Sequence, residues 1–175
     1  MRKNNRLQRV GQIATWVLSA VFFLIMCLFG YTTIARALGT PLPTVFGWSN
    51  AVVLSGSMEP ELPVGALLLT QKQETYSPGD VVIYENENGT LVTHRLVSIT
   101  GDEAVTKGDA NNSEDTPFPA SQIYGKVKKV LPGVGSTILW LKTPSGICMV
   151  LLVGGILIIL PGYLIRKVGK THDGT

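Results

Sequence analysis

The segment DVVIYENENGTLVTHRLVSITGDEAVTK, residues 80–107, decides the fold. Within it DVVIYE (80–85), TLVTHRLVSI (90–99) and EAVTK (103–107) are short and rich in β-branched and aromatic residues, and Asn86-Glu87-Asn88-Gly89 and Gly101-Asp102 stand between them. Side chains of the first kind suit a pleated, half-buried surface, while Asn, Asp and Gly supply the backbone angles of tight turns. On either side, AVVLS (51–55), VGALLLT (64–70) and QIYGKVKKVL (122–131) read as further strands, with turns at Ser77-Pro78-Gly79-Asp80 and Gly108-Asp109-Ala110-Asn111-Asn112. No stretch in this region carries a helical stripe. The expectation is a compact, mainly β domain, mostly antiparallel, without internal repeats.

The ends of the chain are of another kind. From Gly11 to Ala35 there is no charged residue, and a second uncharged run extends from Thr143 to Ile165. Each is long enough to cross a hydrocarbon core of about 30 Å, where a helix satisfies its own backbone. Arg2, Lys3, Arg6 and Arg9 precede the first run, and Arg166, Lys167 and Lys170 come after the second. Basic residues are retained on the cytoplasmic side, so both termini are expected there. The expected organisation is a basic N-terminus (1–10), transmembrane helix 1 (11–35), an extracytoplasmic β-rich domain (36–142), transmembrane helix 2 (143–165) and a cytoplasmic tail (166–175). Ala35-Arg36-Ala37 fits the cleavage site of a secretory signal, but the apolar core before it is longer than such signals carry, which favours a retained anchor.

Residues 36–142 hold eight basic against eleven acidic side chains, so the overall charge of +3 is a matter of topology and nucleic-acid binding loses its main support. Cys27 and Cys148 both fall in the expected spans, which leaves the exported segment without a disulfide or a cysteine nucleophile. The uncharged stretch from Leu38 to Met58 is broken by Gly39, Pro41, Pro43, Gly47 and Gly56, so it is not one helix. Its apolar residues, Phe46 and Trp48 among them, either pack in the β core or sit at the headgroup level.

Three segments carry groups able to do chemistry. In Ser55-Gly56-Ser57-Met58-Glu59-Pro60 a serine needs a base within reach, and its oxyanion needs donors, for which the Ser57 N–H and the Ser55 hydroxyl are candidates. Gly56 would let the backbone approach a substrate; a plain Ser/Gly/Pro turn is the alternative. His94 is the one imidazole between the spans, since His172 lies in the tail; alternation puts it on a face with Val92, Leu96 and Ser98, where a core histidine is the alternative. The loop Lys107-Gly108-Asp109-Ala110-Asn111-Asn112-Ser113-Glu114-Asp115 lacks the ligand spacing of an EF-hand and is either a self-capped turn or the source of a carboxylate for His94.

The order and wording of these segments resemble type I signal peptidases, in the branch of the endoplasmic-reticulum, archaeal and SipW-like enzymes. The resemblance covers about residues 45–137 and rests on SGSMEP (55–60), PGDVVIY (78–84), THR (93–95) and KGDANNSED (107–115), with YGKVKKVLPGVG (124–135) closing the domain. Ordinary bacterial members have lysine where this chain has His94. A lysine needs its pKa driven down from about 10.4 before it can accept a proton, whereas an imidazole near 6.5 does not.

The resemblance implies a LexA-like β fold anchored by two transmembrane helices, no cofactor and no metal. It implies removal of signal peptides after small residues, with Ser57 as nucleophile, His94 as general base, Asp115 as acid partner and Asp109 in support. Lys107 remains an alternative base. Expected partners are secretory preproteins emerging from the export channel and the lipid bilayer, with no nucleic acid and other subunits unspecified. The expected location is the plasma membrane, multi-pass, with the catalytic domain on the outer face. A self-cleaving LexA-type regulator and a non-catalytic membrane-tethered binding module are the rival readings.

Overall fold

The computed structural model describes residues 2–170, with side chains described for 11–157 and 159. The last five residues of the expected tail, His172 among them, lie outside the described residues. Two compact units emerge: Ile34–Leu139, and the helical segments on either side of it in the chain.

Helix α1 spans Arg2–Ala37, and its portion Gly11–Ala37 is 27 residues long with a mean hydropathy of 2.4. Gly39, at a φ of 90°, ends it: Thr40 N–H reaches the Ala35 carbonyl and Gly39 N–H that of Arg36, the paired bonds of a left-handed C-terminal cap. Helix α2, Val134–Leu141, was not expected from sequence. VGSTILWL is apolar nearly all round, which leaves no stripe to read. Thr143 then caps helix α3, Pro144–Lys170, by accepting the Gly146 N–H at 3.3 Å, with Pro144 at the first helical position, where its missing N–H is harmless. Among the described residues, Gly11–Ala37 is the one helix long and apolar enough by itself to cross a membrane.

Eight strands form one antiparallel sheet. They are β1 (Thr44–Val45), β2 (Trp48–Val52), β3 (Leu67–Gln71), β4 (Val81–Glu85), β5 (Leu91–Thr100), β6 (Glu103–Lys107), β7 (Phe118–Pro119) and β8 (Ile123–Leu131), in the spatial order β1-β2-β3-β8-β4-β5-β6-β7. The expected run β4-β5-β6 is present as a meander. Strand β4 reads VVIY without polar interruption because both its faces are covered: Val81 and Ile83 join a core with Leu42, Met58, Leu62 and Leu68, while Val82 and Tyr84 join one with Leu96, Ala104, Phe118 and Ile123.

Several boundaries differ from expectation. Of the segment 51–55 only Ala51 and Val52 are strand, as the end of β2, which starts at Trp48, and β1 and β2 form a hairpin inside the stretch read as a linker. Its turn, Phe46-Gly47, has φ of 51° and 78°, the pairing that two-residue hairpins favour. Phe46 is 97% exposed, whereas Ala51 and Val53 pack on the core, so only part of that stretch is core. The segment 64–70 begins pairing only at Leu67, because Gly65 sits in a turn at a φ of 81° with the Ser136 side chain where a Cβ would stand.

Candidate active site

Ser57 comes after β2 on a turn closed by the Glu59 N–H to the Gly56 carbonyl at 3.0 Å. Met58 and Leu62, both 1% exposed, pin that turn to the core, so the Ser57 side chain is held at the surface by its neighbour's burial. A Cβ on Gly56 would meet only the Glu59 side chain, at 3.4 Å or more, whereas one on Gly108 would come within 2.7 Å of the Ser57 carbonyl. That room lets the 107–115 loop dock on the serine: Ala110 N–H bonds the Ser57 carbonyl at 2.9 Å.

His94 lies on β5 opposite Val82 and is 6% exposed. Its Nε2 is 3.1 Å from Ser57 Oγ, and its Nδ1 is 2.6 Å from Asp115 Oδ2. An ionised carboxylate only accepts, so Nδ1 carries the proton and Nε2 presents its lone pair to the serine hydroxyl. The structure thus brings Ser57, His94 and Asp115 together, from a turn, a central strand and a loop separated by 37 and 21 residues of chain. The same Asp115 oxygen also accepts from the Thr106 hydroxyl at 2.7 Å and the Tyr84 hydroxyl at 3.2 Å. Tyr84 is buried and stacked on Phe118, with centroids 3.9 Å apart. Burial, with the Asp115 charge added, pushes its phenol up to about 12, so it stays a protonated donor.

Asp109 is not brought to His94. Both its oxygens are taken by Arg95, from Nε at 2.9 Å and Nη2 at 2.7 Å, in a forked pairing. The carboxylate read from the resemblance as supporting the site is thus engaged in an ion pair with Arg95. Arg95 also bonds Glu61 and the Gly79 carbonyl, tying the Ser57 turn, the 107–115 loop and the turn before β4 to the residue after His94. The Asp109 bond chiefly raises the guanidinium pKa, against a smaller opposing effect of burial. Lys107 sits across from Arg95 in the β5–β6 register, while the nitrogen facing Ser57 belongs to His94. Ser55 Oγ lies 3.3 Å from Ser57 Oγ.

A cleft of about 430 Å³ opens at Ser57 and His94. Val53, Leu54, Met58 and Leu91 give it apolar walls, and Thr93, Asn111 and Ser55 give it polar groups. Sequence alone singled out none of these walls, nor Thr106 and Tyr84. The one sequence signal at Thr106 is a polar residue alternating with Ala104 on β6, which is common in any strand. No cluster of three or more His, Cys, Asp or Glu suited to a metal ion occurs among the described residues.

No protein-family model matches the chain. Relatives do. Signal peptidase I W of Bacillus subtilis (strain 168) is 36% identical over 107 residues, which is 57% of this chain and 56% of that protein. The signal peptidase complex catalytic subunit SEC11 of Lachancea thermotolerans is 36% identical over 108 residues, 52% of this chain and 64% of that one. The chain thus spans a little over half the length of these two relatives. The SEC11 catalytic subunit of Metarhizium acridum is 34% identical over 159 residues, 78% of this chain and 89% of its own length. That coverage extends beyond the site segments to most of the chain, and the chain belongs to the type I signal peptidases, in the branch of signal peptidase I W and the SEC11 catalytic subunits.

Proposed function

We propose that this protein is a membrane-bound serine endopeptidase that removes N-terminal signal peptides from exported precursors after small residues. The observation that carries the reading is the continuous hydrogen-bonded line Ser57 Oγ, His94 Nε2, His94 Nδ1, Asp115 Oδ2, with separations of 3.1 and 2.6 Å. Along it, His94 takes the Ser57 proton as Oγ attacks the scissile carbonyl, and the Asp115 carboxylate stabilises the imidazolium that forms. His94 then gives that proton to the leaving amine, and the acyl group stays on Ser57 until water, deprotonated by the same imidazole, releases it. The Ser57 N–H and the Ser55 hydroxyl are the assigned oxyanion donors. The apolar walls at Val53, Leu54 and Leu91 suit small side chains before the scissile bond, with the substrate in extended form.

In this reading α1 is a retained anchor, 36–142 is the catalytic domain, and the uncharged run 143–165 within α3 is a second span. Both termini are cytoplasmic, and the site faces the outer surface of the plasma membrane. The SEC11 relatives are named as subunits of a signal peptidase complex, and by analogy this chain works beside partner subunits. The test is cleavage of a precursor bearing an A-x-A site by the purified full-length protein in detergent. Release of the mature chain at that site is expected. Failure to cleave any such precursor by a folded protein favours the tethered binding module. Reporters placed after residue 170 and near Asn88 test the topology: the first is expected in the cytoplasm and the second outside, and a cytoplasmic Asn88 reporter contradicts the reading.

A further inference from the structure

The proposed reaction uses one of the three hydrogen bonds that end on Asp115 Oδ2. The other two come from Thr106 Oγ1 at 2.7 Å and the Tyr84 hydroxyl at 3.2 Å. We propose that Thr106 and Tyr84 are positioning residues that fix the Asp115 carboxylate for its bond to His94. This rests on the Ser57–His94–Asp115 reading of the site.

Sheet order places the three groups side by side. His94 is on β5, and β5 is flanked by β4, which carries Tyr84, and by β6, which carries Thr106. Tyr84 pairs with Val92 and Thr106 with Leu96, the residues two before and two after His94 on the same face. The strands on both sides of the histidine therefore each send a hydroxyl to one carboxylate oxygen, the oxygen that the histidine uses. Asp115 comes from a loop, and loops do not place a side chain to a few tenths of an ångström without such ties.

Thr106 holds Asp115 at two points. Its carbonyl accepts the Asp115 N–H at 2.8 Å, and its hydroxyl donates to Oδ2, so backbone and side chain are both referenced to β6. Thr106 is 0% exposed, which leaves its hydroxyl no water to turn to. Tyr84, 4% exposed and stacked on Phe118, is equally fixed, and its raised pKa keeps it a donor throughout the neutral range. Moving that oxygen away from Nδ1 would break both hydroxyl bonds as well. The pair thereby holds the acceptor where His94 Nδ1 donates to it.

The test is steady-state cleavage by the full-length protein in detergent, with kcat and KM separated. Thr106→Val is nearly isosteric and keeps the backbone bond, so it removes only the hydroxyl. Its kcat is expected to fall about 10- to 100-fold, the size of one lost charge-assisted hydrogen bond, with KM within about 2-fold. Thr106→Ser restores the donor and is expected within about 3-fold of the parent. Tyr84→Phe, which keeps the stacking, is expected to lose about 3- to 10-fold, in line with its longer bond. A full kcat in Thr106→Val beside an inactive Asp115→Asn overturns the proposal and leaves the site reading standing. An active Asp115→Asn overturns both. Equal losses in Thr106→Val and Thr106→Ser make Thr106 a packing residue and also overturn it.

Discussion

Replacing Asp115 by asparagine changes one atom and removes one charge, and the geometry bounds the loss of activity. The carboxylate oxygen lies 2.6 Å from Nδ1. If the amide nitrogen takes that place, it donates to Nδ1, the imidazole proton moves to Nε2, and the base presents a hydrogen to Ser57 instead of a lone pair. The loss in that arrangement is about 10⁴-fold, as in other triads whose acid becomes an amide. If the amide oxygen stays there, as the Thr106 and Tyr84 hydroxyls favour, the tautomer survives and only the charge is lost. At close range in a partly buried site that charge is worth about 4 kcal/mol to the imidazolium, or about 10³-fold. Both arrangements put the expected drop in kcat at about 10³- to 10⁴-fold, with KM little changed. Single-turnover cleavage of a precursor at saturating enzyme measures it, with circular dichroism and a melting curve confirming the fold. A folded Asp115→Asn within about 10-fold of the parent would refute the reasoning.

The same geometry fixes three more outcomes. Asp109→Asn weakens the forked bond from Arg95 and is expected to lower stability by about 1–2 kcal/mol, roughly 4–8 °C in melting temperature, with turnover reduced far less than in Asp115→Asn; a stable but inactive Asp109→Asn would reverse the assignment. Activity is expected to fall as pH drops, because an imidazolium cannot take the Ser57 proton, and His94→Ala and His94→Lys are both expected inactive near neutrality, the latter because the neighbouring Asp115 carboxylate favours the charged form of a lysine. Full activity in His94→Ala would instead make Lys107 the base. Gly108→Ala drives a Cβ to 2.7 Å from the Ser57 carbonyl and is expected to displace the 107–115 loop and cut kcat at least about 10-fold, so unaltered kinetics would show that the loop's docking is dispensable.

Local signals marked the elements that sequence could reveal. Strands β4, β5 and β6 were legible because each is rich in β-branched residues and stands between turn residues, and Val92 and Leu96 were legible as neighbours of His94 on one face because alternation holds that far; beyond Leu96 the β5–β6 register shifts and Ser98 does not keep it. Strands β1 and β7 are two residues each and carry no period to detect. Helix α2 hid for another reason: with only Ser136 and Thr137 polar among its eight residues, it shows no stripe. At the site, Ser57, His94 and Asp115 were nameable from chemical type and from the resemblance, whereas Thr106 and Tyr84 were not, because nothing in a strand sequence tells which hydroxyl will meet a loop carboxylate. Asp109 was expected to cap its own turn, the local option; Arg95, fourteen residues earlier, is a stronger partner that only the tertiary structure reveals. The apolar walls of the cleft likewise come from 52–54 and 90–94, segments far apart in the chain.

The central claim is that Ser57 carries the acyl group. The most direct measurement is the mass of the enzyme, acid-quenched during cleavage of an A-x-A precursor and digested, with Ser57→Ala run in parallel. The account predicts a peptide containing Ser57 that bears the signal segment as an ester, and neither adduct nor mature product from Ser57→Ala. Product formed at the parent rate by a folded Ser57→Ala would contradict it.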